Sequence, residues 1–330
     1  MGRVRLALWL AGVAVLAGTA GASASTLAFI SNGGSNDVSV IDVATQTVVA
    51  TVSAVGNGPM GVAAAQTGIV YVTNQFDNTV AVIDAGSSTV VATVPVGNMP
   101  LGVAVTPDGS HVYVANLDDS TVSVIDASSN TVVDTIPVDN QPLGVAVTPD
   151  GSRVYVANFG VHTVSVIDAS SNTVVATVPV GANPTGVAVG PPNVTCSTSG
   201  IDPVCVYVTN FGDNTVSVID TDSNLVVATV AVGASPEGVA VSPDGSHVYV
   251  ANHVDSTVSV IDAVSTTVVA TVPVGTNPEG LSVTLDGSQV YVANTGDNTV
   301  SVIDAGTNSV TTTVPVGSGP VAFGKFILDP

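Results

Sequence analysis

The tetrapeptide Tyr-Val-(Thr/Ala)-Asn returns at Tyr71, Tyr113, Tyr155, Tyr207, Tyr249 and Tyr291, and a degenerate copy, Phe29-Ile-Ser-Asn32, stands one period before the first of them. Successive spacings are 42, 42, 42, 52, 42 and 42 residues. The chain is therefore seven copies of one unit, and one copy carries an insertion at about residues 191–205. A period of about 40 residues with several short strands in each unit marks a β-propeller blade.

Each unit reads as four strands, A to D. In the third unit they fall at residues 102–105, 111–116, 121–126 and 131–138. These segments are rich in Val, Ile, Thr and Tyr and are separated by Pro, Asp, Gly, Asn and Ser, the signals of strands and turns respectively. Strand A is almost purely small (Gly-Val-Ala-Val, again at Gly144, Gly186 and Gly238), which places it at the crowded inner edge. Strands B to D are nearly continuously apolar, as expected of sheets covered on both faces by neighbouring blades. The expected fold is all-β: a seven-bladed propeller of four-stranded antiparallel blades.

The ends of the chain predict how the ring closes. The first unit opens in strand B at residues 26–31, continues through C at 38–42 and D at 47–52, and has no strand A of its own. Residues 319–327 align with the Pro-x-Gly-Val-Ala-Val start of the other units. A mixed N- and C-terminal blade removes the open sheet edges that invite aggregation.

Residues 1–24 stand apart. Arg3 and Arg5 precede an apolar run from Leu6 to Ala17 and small residues ending Ala22-Ser-Ala24, the three parts of a secretory signal with an A-x-A cleavage site. The run falls short of the roughly 20 residues a transmembrane helix needs. The domain reading is a signal at 1–24 and a propeller at 25–330, exported to the periplasm, the medium or the cell surface. After cleavage Arg153 and Lys325 remain against 25 acidic residues, a net charge of −23. Such a surface repels nucleic acid and anionic membranes, whose phosphates are bound by clustered Lys and Arg.

Cys196 and Cys205 both lie in the insertion. An even pair in an exported chain favours a disulfide, here one that staples the long A to B loop. No C-x-x-C spacing or nearby His supports a metal or haem alternative.

The unit Pro-x-Gly-Val-Ala-Val, Thr-Pro-Asp-Gly-Ser, Val-Tyr-Val-(Ala/Thr)-Asn, (Asn/Ser)-Thr-Val-Ser-Val-Ile-Asp resembles the YVTN β-propeller repeat of bacterial and archaeal exported and surface-layer proteins, over essentially all of the chain after residue 25. The resemblance implies an extracytoplasmic propeller and no catalytic residues. The same superfamily includes lactonase-type and streptogramin-lyase-type propellers, so it leaves an enzyme open.

Polar residues repeated in every unit are read as turn formers. Asp42, Asp84, Asp126, Asp168, Asp220, Asp262 and Asp304 end strand C, and a carboxylate there can accept hydrogen bonds from the turn's amides. The strand B asparagines and the Asp108, Asp150 and Asp244 turns follow the same logic. A single site should instead use residues that differ between blades on one rim. The D to A and B to C loops share a rim, and that rim collects Asp118, Asp119, His162, Asp213, Glu237, His253, Asp255, Glu279 and Asp297, with Phe76, Phe159 and Phe211 just after the strand B Asn. Glu237 and Glu279 are the only glutamates in the chain.

Glu237, Glu279 and His253 are the candidates for a divalent cation with an open coordination position. The preferred reading of this rim is a solvated acidic surface, as befits so acidic a chain. No G-x-S-x-G elbow, Rossmann fingerprint or P-loop occurs, and the sole Trp, Trp9, lies within the signal. No organic cofactor is expected. The functional expectation is a non-enzymatic binding or surface-structural module for a protein or cell-surface component; the alternative is a lactonase-like or lyase-like enzyme with an acidic, metal-dependent site.

Export is expected to leave a chain that begins near Ser25. N-terminal sequencing of extracytoplasmic protein checks this, and material that retains residues 6–17 would refute it.

Overall fold

The computed structural model describes residues 25–192 and 204–329. The signal segment and Cys196 lie outside the described residues, so the expected Cys196–Cys205 bridge does as well; Cys205 itself opens a strand and is buried. The described residues form seven four-stranded sheets, every strand pair antiparallel. Blade 3 is typical: strand A spans Pro100–Val105, B His111–Asn116, C Thr121–Asp126 and D Thr131–Pro137. Among the described residues no helix is long and apolar enough to cross a membrane.

The core lies between blades. The strand B Tyr is buried in six blades and packs against the next blade: Tyr71 joins Val112, Val114 and Ile125, and Tyr113 joins Val154, Val156 and Ile167. Phe29 fills the Tyr position of blade 1 and is likewise fully buried. The repeat thus encodes one interface seven times, an aromatic ring from one sheet against Val and Ile of the following one.

Six inner strands meet through glycine. A Cβ added at Gly102 would strike the carbonyl of Leu143 in the next blade, and the same collision follows at Gly61 with Leu101, at Gly144 with Thr185, at Gly186 with Glu237, at Gly238 with Glu279 and at Gly280 with Ala322. Strand A is small because adjacent backbones touch there.

Ring closure is as expected in outline but not in register. Ile327–Leu328 pairs with strand B of blade 1 at Ala28 and Leu27, and Pro320 bridges Asn32. Between these points the chain leaves the ladder, with Ala322 and Gly324 at positive φ, and its carbonyls accept from blade 2: Val62 N–H donates to Phe323 O and Ala64 N–H to Lys325 O. The closing segment therefore binds two blades at once.

Strand D departs from the sequence expectation. It is not covered on both faces but lies on the outer girdle, largely exposed, with Val49, Val91, Val133, Val175 and Val269 each more than half exposed. The C to D register shifts at the same step in every blade, as between Val124 and Ile125, leaving Val133 unpaired on a bulge. Bulges kink an edge strand and make it a poor template for pairing with other chains, which is how this apolar girdle is tolerated.

Gly238→Ala, which sets one carbon against the Glu279 carbonyl, is expected to lower the unfolding free energy by about 2 kcal/mol or more. Val133→Thr on the exposed bulge is expected to change it by less than about 0.5 kcal/mol. Chemical denaturation of both variants checks the contrast, and equal losses would show that axial contact is not the limiting constraint.

Candidate functional site

The two rims are built differently. On the A to B and C to D rim the repeated aspartates close their own turns. Asp126 Oδ1 accepts from the Ser128 and Ser129 amides and hydroxyls, and Asp108 accepts from Thr106 Oγ1 and from the Ser110 amide and hydroxyl. These donors hold both carboxyls well below the usual carboxylate range, to about 2.

On the D to A and B to C rim most of the candidate acids are clasps as well. Asp119 takes the Asn98 amide at 2.7 Å, Asp213 that of Ala182 at 2.7 Å, Asp255 that of Ala234 at 2.7 Å and Asp297 that of Thr276 at 2.6 Å. Each stands three residues after the strand B Asn, as does Asp77, which takes the Asn57 amide. The following residue adopts positive φ in every blade, and where it is Asn or His its side chain accepts a second loop amide: Asn214 Oδ1 from Ser235 and, in blade 4, His162 Nδ1 from Asn183 at 2.9 Å. His162 is thus an imidazole in the place of an Asn, its Nδ1 occupied. Asp118 is exposed and stands clear of the clasps.

The clasps rest on the buried asparagines of strand B. Asn116 Nδ2 donates to Thr121 Oγ1 at 3.0 Å and Ser123 Oγ at 2.9 Å, and Gly97 of the D to A loop lies so close above it that a Cβ would collide. The rim is therefore a fixed platform.

On that platform two residues per blade face the axis: the x of Pro-x-Gly, and the residue after the strand B Asn. The first series runs Val321, Met60, Leu101, Leu143, Thr185, Glu237, Glu279 around the ring; the second places Phe159, Phe211, His253 and Thr295 in blades 4 to 7. Met60, Leu101, Leu143, Phe159, Phe211 and Phe323 form one apolar wall of an axial cavity of about 260 Å³, which Thr185, Glu237 and Glu279 also line, whereas Val321, His253 and Thr295 stand outside its lining. Phe159 and Phe211 pack together with ring centroids 6.5 Å apart, whereas Phe76 is 70% exposed and lies outside this lining. Sequence reasoning found the polar residues and two of the aromatics but missed Met60, Leu101, Leu143 and Phe323. Comparing the x of the six Pro-x-Gly steps would have found the first three.

Glu237, His253 and Glu279 offer ligand atoms within 4.8 Å of one another. His253 Nδ1 lies 3.5 Å from Glu237 Oε1, too long for a good hydrogen bond, and is inaccessible to solvent without a hydrogen-bond partner. His253 Nε2 meets the Asn277 amide at 3.0 Å. Burial, reinforced by the Glu279 carboxyl, pushes Glu237 up to about 8; burial pushes Glu279 up to about 7, opposed in part by the Thr295 hydroxyl. Burial also lowers His253, which keeps its ring neutral at pH 7. The three side chains make a half-buried polar cluster.

Family models match two stretches of the chain: the YNCE-like beta-propeller over residues 103–190 and the Cytochrome D1 heme domain over residues 202–321. Similar solved structures include Kuenenia stuttgartiensis hydrazine synthase (TM-score 0.70, 22% identity, 80% of this chain and 88% of that one). A functionally unknown protein from Desulfotomaculum acetoxidans DSM 771 superposes with TM-score 0.74 at 16% identity, covering 91% of this chain and 100% of the other. The dihydro-heme d1 dehydrogenase NirN in complex with DHE superposes with TM-score 0.62 at 16% identity, over 89% and 74%. These likenesses establish the propeller fold. A Mycobacterium tuberculosis (strain ATCC 25618 / H37Rv) relative, PE-PGRS family protein PE_PGRS18, is 58% identical over 38 residues, 12% of this chain and 8% of that protein.

A haem does not suit this rim. The macrocycle carries acidic side chains, which proteins pair with Arg or Lys, and here the axial cavity is faced by two glutamates. Among the described residues Arg153 starts a strand B at the opposite rim, reaching toward Thr221 and Asn224, and Lys325 is exposed on the closing segment.

Because folding raises both glutamates, the folded chain keeps protons that the unfolded chain sheds at ordinary carboxylate pH. The stability gained from their neutral forms is present below that range and is lost as pH rises through about 7 to 8. In chelator-treated protein, Tm is expected to fall from pH 5 to 8.5, and to fall less in Glu237→Gln/Glu279→Gln. Parallel slopes in the two proteins would show that the pair ionises as if exposed.

Proposed function

For a seven-bladed propeller of the YVTN-like kind, a fold that by itself assigns no activity, we propose the role of an exported, non-enzymatic binding module whose ligand enters the axial cavity on the D to A and B to C rim. The carrying observation is the division of that cavity into an apolar wall and a side lined by Glu237 and Glu279, behind which His253 stands close to both. Ligand sites are commonly concave and mostly apolar, with a few polar groups that fix orientation. The occupant this shape suits is a small molecule with an apolar body against Leu101, Leu143, Phe159 and Phe211 and a polar head toward the glutamates. The signal segment and the scarcity of Lys and Arg support an extracytoplasmic setting.

A second reading keeps the same cavity but makes it hydrolytic. It is favoured by two carboxyls raised toward neutrality beside a neutral imidazole, the condition for acid–base work. Turnover in a screen of lactones and aryl esters, abolished by Glu237→Gln, would select it over the binding reading.

The neutral fluorophore N-phenyl-1-naphthylamine, an apolar body with one N–H, is a suitable probe. It is expected to brighten on one site per chain, to bind at least tenfold more weakly to Leu143→Glu, and to be indifferent to Asp108→Asn on the opposite rim. Equal binding by all three proteins would place the ligand elsewhere.

A further inference from the structure

We propose that Glu237, His253 and Glu279 hold one divalent first-row transition-metal ion of the zinc class, its open coordination positions facing the apolar half of the axial cavity.

The distances fit an ion better than they fit the side chains alone. Metal–donor bonds of about 2.1 Å to imidazole and carboxylate put adjacent donors of a tetrahedral site about 3.4 Å apart, and His253 Nδ1 and Glu237 Oε1 stand at 3.5 Å. That separation is too long for a hydrogen bond and natural for two ligands of one ion. Glu279 completes a set within 4.8 Å, which a small side-chain rotation closes. The Nδ1 atom is inaccessible to solvent and has no hydrogen-bond partner, so with the ring proton moved to Nε2 it is free to ligate an ion.

Charge gives an independent reason. Two carboxylates brought together under burial repel one another and lose hydration, and among the described residues no Lys or Arg pairs with either; the one ion pair found is the contact to His253 itself. A dication makes the trio neutral. An oxygen-only cation such as Ca²⁺ would not draw on an imidazole, whereas zinc-class ions accept a mixed nitrogen and oxygen set. Asn277 supplies the outer support: its amide already reaches His253 Nε2 at 3.0 Å, and presenting its oxygen there fixes the proton on Nε2 and frees Nδ1 for the metal.

The inference rests on the axial-cavity reading and sharpens it. With the ion in place, the ligand's head becomes an oxygen or nitrogen donor that completes the coordination, while its body stays on the Leu and Phe wall. Glu237 and Glu279 are the only two carboxyls that the x series contributes, in adjacent blades, and Glu237 shares its blade with the one His that follows a strand B Asn.

Chelator-stripped mature protein titrated with Zn²⁺ alone in a calorimeter is expected to bind one ion per chain, and Co²⁺ to give the intense visible absorption of a low-coordinate site. His253→Ala and Glu237→Gln/Glu279→Gln are expected to weaken Zn²⁺ at least 100-fold and to abolish the Co²⁺ band. Asp297→Asn and Asp118→Asn, on the same acidic rim but outside the trio, are expected to leave both unchanged, and Ca²⁺ is expected not to compete. Thermal melts with and without Zn²⁺ separate folding defects from loss of the site, because a folded variant melts cooperatively without a zinc-dependent shift. Zinc binding that survives the trio substitutions, Ca²⁺ displacing Zn²⁺, or the absence of a one-to-one site in folded wild-type protein would each overturn the proposal. Failure of the naphthylamine probe alone would count against the apolar wall and leave the metal assignment standing.

Discussion

Everything on the axis depends on how closely the inner strands approach. In six of the seven blades the glycine of Gly-Val-Ala-Val, or its equivalent, lies against a backbone carbonyl of the next blade with no room for a Cβ. A single methyl group at any of these points would push two sheets apart and open the apolar interface behind them. The close approach also fixes the neighbouring x residue: its carbonyl is pinned, as Thr209 Oγ1 pins that of Glu237 at 2.6 Å, and its side chain faces the axial cavity. The constraint that makes the ring rigid therefore also builds the ring of side chains that chemistry can use.

The rim above is held by bonds of a different kind. Asp119, Asp213, Asp255, Asp297 and His162 each take a backbone amide of a D to A loop, so residues with the look of a binding surface are fasteners. Each is exposed and is worth about 1 kcal/mol at most as a single hydrogen bond, but the set recurs around the ring. The mouth of the cavity is thereby kept open in a fixed shape, and a ligand there would not have to order the loops as it binds.

The sequence made the fold legible because the structural message is written seven times. Strand order, the antiparallel blades and closure by both termini follow from registering the Tyr-Val-(Thr/Ala)-Asn steps. It overstated how deeply strand D is buried: Val runs there signify β-propensity on a bulged outer edge, and composition does not distinguish an edge from a centre. The site was half legible. Glu237, His253 and Glu279 stood out as departures from the repeat, and they do converge. The rim aspartates stood out as acids, and their partners, loop amides some 20 residues away or more, leave no mark in local sequence. Phe76 and Phe159 occupy neighbouring registers of different units, and only three-dimensional placement shows that Phe159 lines the cavity while Phe76 meets solvent.

The asymmetry of the axial wall is the strongest sign that it serves a ligand. Stability asks only for an apolar or small residue at x, and Val321, Met60, Leu101, Leu143 and Thr185 satisfy it. Glu237 and Glu279 do not: each is buried beside the other, both are driven toward the neutral form, and no Lys or Arg among the described residues offsets them. Two adjacent carboxyls in this position weaken the fold at neutral pH and contribute nothing to the interfaces between blades. A frame whose interfaces are set by repeated Tyr, Asn and Gly can bear that loss locally. The cost falls at the one place where the seven-fold pattern is broken on both axial positions of the same blade, Glu237 with His253, and in the next blade Glu279. The proposed binding site is the reading that accounts for that coincidence.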